Sequence, residues 1–147
     1  MGLDMYLYAY DEKVEQALKK ALDPETSDDE TEGLMDLVFD NTTEVAYWRK
    51  ANAIHDFFCR EGKEVNADVL YVISREVLGK LLEKCFQVLV LKDEEFSKEA
   101  LPTRSGFFFG STEYGEFYYE NIRYTTSQIA KALASYDDEE FLYYASW

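Results

Sequence analysis

Residues 3 to 10 alternate, with Leu3, Met5, Leu7 and Ala9 on one side and Asp4, Tyr6, Tyr8 and Tyr10 on the other. That two-residue period predicts a half-buried strand. The period then lengthens: Val14, Ala17, Leu18 and Ala21 share one face of a helix predicted over about 12–22, which Pro24 stops. Asp23 to Glu32 reads as an acidic loop, and Leu34 to Phe39 fits either a strand or a helical turn. Thr43 is placed to cap a helix running to about Arg60, with Gly62 at its end. Its core face would be Tyr47, Ala51, Ile54 and Phe58, and its border stripe Trp48, Asn52, His55 and Cys59.

Val69 to Ile73 is a compact strand candidate, after which Ser74 caps the strongest predicted helix, carrying Leu78, Leu81, Leu82, Cys85, Val88 and Leu89. Phe117 to Ser135 reads as a long helix with Tyr118, Ile122, Thr125, Ile129, Ala132 and Leu133 along one face. Asp137 to Glu140 breaks it, and Phe141 to Trp147 is a terminal strand. No internal repeat or linker interrupts the order, so residues 1–147 predict one α+β domain, a small, mostly antiparallel sheet packed with about four helices.

One stretch fits neither period. In Ser105-Gly106-Phe107-Phe108-Phe109-Gly110-Ser111-Thr112-Glu113-Tyr114-Gly115, three consecutive aromatics lie between glycines. An extended chain cannot turn all three rings into one core, so at least one must meet an edge, a neighbour or a ligand. The loop is therefore the leading candidate for a recognition surface.

Composition narrows the classes. Hydrophobic residues make up 47% and aromatics 16% of the 147 residues, which places the chain among ordered proteins despite its charge. The formal net charge of −15 opposes direct binding to a phosphate backbone and suits a basic partner, in the extreme as a mimic of nucleic acid. Nine carboxylates between Ala21 and Trp48, Asp28, Asp29, Glu30 and Glu32 among them, have no Lys or Arg in between. Two cysteines without metal spacing, no secretory leader and no long apolar run predict a reduced cytoplasmic setting without membrane attachment.

The chemistry-bearing residues give no reaction motif. His55 and Cys59, one turn apart, could pair as imidazole and thiol, but a nucleophilic thiolate needs an electropositive setting, and Cys59 follows two phenylalanines in an acidic chain. Asp23, Glu25, Ser27 and Asp29 lack the glycine of a calcium loop at the sixth position. Gly106, Gly110 and Gly115 do not form a phosphate-binding pattern. No catalytic residue, metal or cofactor is assigned. Trp48, Asn52 and His55 with Phe107, Phe108, Phe109 and Tyr114 have the aromatic, sparsely polar composition of an interface or a small-ligand pocket.

Three blocks, Met1 to Leu7 (MGLDMYL), Ala46 to His55 (AYWRKANAIH) and Leu101 to Tyr114 (LPTRSGFFFGSTEY), resemble a family of small uncharacterised proteins from bacteriophages and bacterial genomes. The resemblance carries no catalytic residue; it implies a setting, that of proteins acting on a host or defence protein inside a bacterial host cell. The expectation is a non-enzymatic, phage-type accessory protein that binds and modulates such a partner, with the acidic surface as a candidate contact. The alternative is a small enzyme or small-molecule binder whose pocket lies between the Trp48–His55 helix and the Phe107–Tyr114 loop. A third is an oligomeric structural or packaging component.

Overall fold

The computed structural model describes residues 2–66, 69–137 and 139–147; Asp138, part of the predicted acidic break, lies outside them. In chain order the elements are β1 (Asp4–Tyr10), α1 (Glu12–Ala21), α2 (Asp28–Asp40), β2 (Thr43–Arg49), α3 (Asn52–Glu61), β3 (Lys63–Asn66), β4 (Leu70–Ile73), α4 (Arg75–Leu91), α5 (Glu94–Ala100), α6 (Glu116–Ser135) and β5 (Glu140–Ser146). All strand pairs are antiparallel and the sheet order is β2-β1-β5-β4-β3. The α+β class predicted from the sequence is what forms, with six helices among the described residues.

Strand alternation divides the interior into two layers. Leu3, Met5, Leu7, Tyr71, Ile73, Phe141, Tyr143 and Ala145 pack with Ile54 and Phe58 of α3, Leu78 and Cys85 of α4, and Ile122 and Ile129 of α6. On the opposite face Tyr10, Leu70 and Leu142 pack with Val14 and Leu18 of α1 and Val38 of α2. β1 lies inside the sheet between β2 and β5, so the parity read from its sequence decides which of its residues belong to which layer.

The predicted helix over Thr43–Arg60 does not form as one element. Thr43–Arg49 is β2, which pairs with β1 so that Tyr6 faces Tyr47 and Met5 faces Trp48. Ala46 and Trp48 are buried while Tyr47 and Arg49 are exposed, a strand alternation that the helical count of Tyr47, Ala51, Ile54 and Phe58 obscured. Lys50 turns the chain from strand into helix with φ of 57° and donates its N–H to Leu3 O at 2.7 Å. A lysine in left-handed conformation has no sequence signature, whereas a glycine there would have marked the break.

The predicted acidic loop is also corrected. Its second half is the first turn of α2, where the Ser27 hydroxyl accepts from Glu30 N and Asp28, Asp29 and Glu30 lie at the positive end of the helix dipole. Leu34 to Phe39 is the continuation of that helix. β3 and α5 lack a sequence prediction; α5 is one short capped helix, with Asp93 accepting from Glu95 N.

Candidate functional site

The loop from Leu101 to Gly115 crosses the N-terminal end of α3, and a single side chain from that helix holds it. Asn52 is 3% exposed; its amide nitrogen donates to Phe109 O and Ser111 O, both at 2.9 Å, and its oxygen accepts from Arg104 N at 3.0 Å. One buried amide thereby satisfies three backbone groups that the loop could not pair within itself. Further ties brace the two limbs: Thr103 N donates to the Tyr114 hydroxyl at 2.9 Å, Thr103 Oγ1 to Thr112 O at 2.9 Å, and Leu3 N to Phe108 O at 3.0 Å. The Tyr114 ring packs on Tyr118, whose own hydroxyl donates to Leu101 O at 2.8 Å.

The three phenylalanines have three different fates. Phe109 is buried, standing edge-on to His55 and to Trp147 at 5.3 Å in each case. Gly106 lets it in, because a Cβ there would lie 2.8 Å from the Phe109 ring. Phe107 is 85% exposed and Phe108 44% exposed, their rings 6.2 Å apart at the loop tip. Phe108 also has φ of 65°, a left-handed conformation in which a non-glycine residue costs about 1–2 kcal/mol. The tip is thus a pair of solvent-facing aromatics on a backbone held in place from beneath.

Of the residues singled out in the sequence, Asn52, His55 and Phe109 meet at the base of this loop, while Tyr114 braces its far limb through Thr103 and Tyr118. Trp48 does not share their helix: it lies on β2, buried, with Nε1 donating to Thr125 Oγ1 at 2.8 Å and its ring edge-on to Phe58. His55 is buried with Nδ1 2.6 Å from the Tyr143 hydroxyl and Nε2 3.5 Å from Cys59 Sγ. Burial raises the thiol pKa of Cys59, outweighing its contacts with Tyr71 and Arg104, and burial pushes the Tyr143 hydroxyl well above its ordinary range. The pair therefore holds its protons at neutral pH, opposite to what an activated nucleophile requires.

Between α3 and the loop, where a ligand pocket was expected, packing leaves little room. Lys50, Asn52, Thr103, Ser111, Phe117 and Asn121 line a cleft with about 10 Å³ of free volume. That holds about one water, against roughly 300 Å³ or more for a typical ligand pocket. Among the described residues no group of three or more His, Cys, Asp or Glu is arranged to hold a metal ion.

Asp28, Asp29, Glu30 and Glu32 are exposed on α2, remote in the fold from the aromatic loop because α2 packs with α1 on the other face of the sheet. Glu30 pairs with Lys20 of α1 at 3.0 Å.

What fold and site together define is an α+β protein that presents a preorganised aromatic loop. No protein-family model, curated protein or solved structure matches the chain. Among the described residues no helix is long and apolar enough to cross a membrane.

Proposed function

We propose that this chain is a non-enzymatic binding protein that docks on a partner protein through Phe107 and Phe108. The setting is that of a phage-type accessory protein modulating a host or defence protein. Phe108 carries the reading. Its backbone adopts a conformation that glycine would occupy without strain, yet its ring remains 44% exposed, so folding alone gives little reason for a phenylalanine there. Strained, exposed residues on a rigid frame are typical of recognition sites, where preorganisation lowers the entropic cost of binding. Aromatic residues, phenylalanine included, are also enriched at protein interfaces relative to the rest of the surface. The small-molecule alternative loses its support with the cleft reduced to about 10 Å³, and the enzymatic one with a protonated, partly buried Cys59.

The test uses the parent and a Phe107→Ser/Phe108→Gly variant as parallel baits in bacterial lysate. The expected result is a protein retained by the parent and lost by the variant, which then binds the purified parent at least tenfold more tightly than the variant. Equal retention of every partner by both baits would overturn the loop as the docking element.

A further inference from the structure

The second layer of the sheet is only partly covered by α1 and α2, and its uncovered part is not the ordinary polar surface of an antiparallel sheet. The register places Tyr47, Tyr6 and Tyr144 side by side across β2, β1 and β5. Tyr6 lies 5.2 Å from Tyr47 and 6.1 Å from Tyr144 between ring centroids, and Tyr8 lies 6.1 Å from Tyr6 with the planes 11° apart. Phe39 of α2 stands edge-on to Tyr8 and Tyr144 and forms a wall where the helix leaves the sheet. Tyr47 is 39% exposed, and Tyr6, Tyr8 and Tyr144 are half-buried.

Charge at the margins of this row has one sign in excess. Asp4 pairs with Arg49 below it, and exposed Glu44 faces Tyr8 above it. The carboxylates of Asp4 and Glu44 contribute, after desolvation, to raising the Tyr6 hydroxyl pKa, and Glu44 does the same at Tyr8. Arg49 opposes the two carboxylates at Tyr6, so the excess charge beside the electron-rich ring faces is that of Glu44.

We propose that this face docks a basic side chain, arginine or lysine, of a partner protein, seated over the Tyr47–Tyr6–Tyr144 row between Asp4 and Glu44. At the Asp4 end the protein already pairs one guanidinium with a carboxylate: Arg49 Nη1 is 2.9 Å from Asp4 Oδ1, and the Tyr47 hydroxyl donates to the same oxygen at 2.5 Å. A second cation over the row would gain both the cation–π attraction of the tyrosines and the field of Glu44. Aromatic sheet faces also stack single-stranded nucleic acid, but those faces track the phosphates with Lys and Arg. Here the rim carries two carboxylates against one already paired arginine, and the whole chain carries −15, so a phosphate backbone is disfavoured.

The test is a two-dimensional NMR titration of the intact chain with three probes: a Gly-Arg-Gly-Arg-Gly peptide, its norleucine counterpart, and a thymidine oligonucleotide. Saturable shifts centred on Tyr6, Tyr8, Tyr47 and Tyr144 are expected with the arginine peptide alone. Glu44→Gln, an exposed change that leaves the core untouched, should weaken that binding about two- to fivefold, the effect of one rim charge. Tyr6→Leu, checked for an unchanged amide spectrum elsewhere, should weaken it further. Phe107→Ser should bind like the parent, so the outcome is separate from that of the aromatic loop. Equal shifts from the norleucine peptide, binding of the oligonucleotide instead, or no shifts at millimolar peptide would each overturn the proposal.

Discussion

Asn52 and Phe108 represent two opposite relations between a residue and its fold. Asn52 makes three buried hydrogen bonds to the loop, so Asn52→Ala should cost about 2–4 kcal/mol, since the freed carbonyls and the Arg104 N–H lose their buried partner. Urea denaturation reads this directly, and a change below about 1 kcal/mol would mean that the loop is held by other contacts. Phe109→Ala should cost about 3–5 kcal/mol, whereas Phe107→Ser should stay within about 0.5 kcal/mol of the parent. Phe108→Gly is expected to remain within about 1 kcal/mol, because relief of the left-handed strain offsets the half of the ring that is buried. A large loss of stability in that variant would return Phe108 to the role of a packing residue. That one of the three aromatics had to be displayed was legible in the sequence from their succession. Which one goes inward was not, because it depends on His55 and Trp147 meeting above α3.

At the scale of elements, the helices with strong apolar stripes and clear caps were legible and those decided by tertiary pairing were not. Ser74 caps α4 and the buried positions Leu78, Leu81, Cys85 and Val88 follow as the period requires. β2 was misread because the residues after it continue a helical count, and only its pairing with β1 makes Thr43–Arg49 extended. α2 was hidden by its own acidity. Carboxylates in the first turn of a helix are stabilising, so a run that reads as a solvated loop is also a helix start. Replacing Asp28, Asp29, Glu30 and Glu32 by amides should therefore cost about 1–2 kcal/mol and reduce helicity, through the lost dipole interaction and the lost Lys20–Glu30 pair. Circular dichroism and thermal melting check this. An unchanged melt accompanied by slower, less salt-sensitive association with a basic partner would instead make the quartet a purely electrostatic contact. Arg75 links two elements in another way: its guanidinium donates to Leu133 O at 2.8 Å and to Tyr136 O, tying the start of α4 to the end of α6. Arg75→Ala should cost about 2 kcal/mol in the same melting experiment.

For the whole molecule, burial of acidic protons gives stability a definite pH dependence. Cys85 lies on the buried face of α4, and burial pushes its thiol up to about 12; Cys59 is raised by the same cause, and burial also pushes Tyr8 up to about 12. In the unfolded chain thiols titrate near about 8.5 and phenols near about 10. As pH rises past about 8.5 the unfolded state loses protons that the native state keeps. The native state then binds more protons than the unfolded one, so stability falls with pH until the native groups themselves ionise. Below about 8.5 this contribution is fully present. At the acid end the direction reverses: the Tyr47 hydroxyl and Arg49 lower Asp4, and Lys80 lowers Glu61, so their contributions are present above the ordinary carboxylate range and lost as pH falls through it. Both carboxylates are solvent-screened, which makes the acid step the smaller one. Urea midpoints taken at pH 7, 8.5 and 10 in 0.5 M salt, where general repulsion within a chain of charge −15 is screened, should change little between pH 7 and 8.5 and fall between 8.5 and 10. Cys85→Ala lowers the midpoint at every pH, since a buried side chain is truncated, but should flatten the decline between pH 8 and 10 because one of the shielded protons is gone. A decline of the same slope in parent and variant would show that burial of this thiol is not what limits alkaline stability, and would assign the loss to the tyrosines or to net charge.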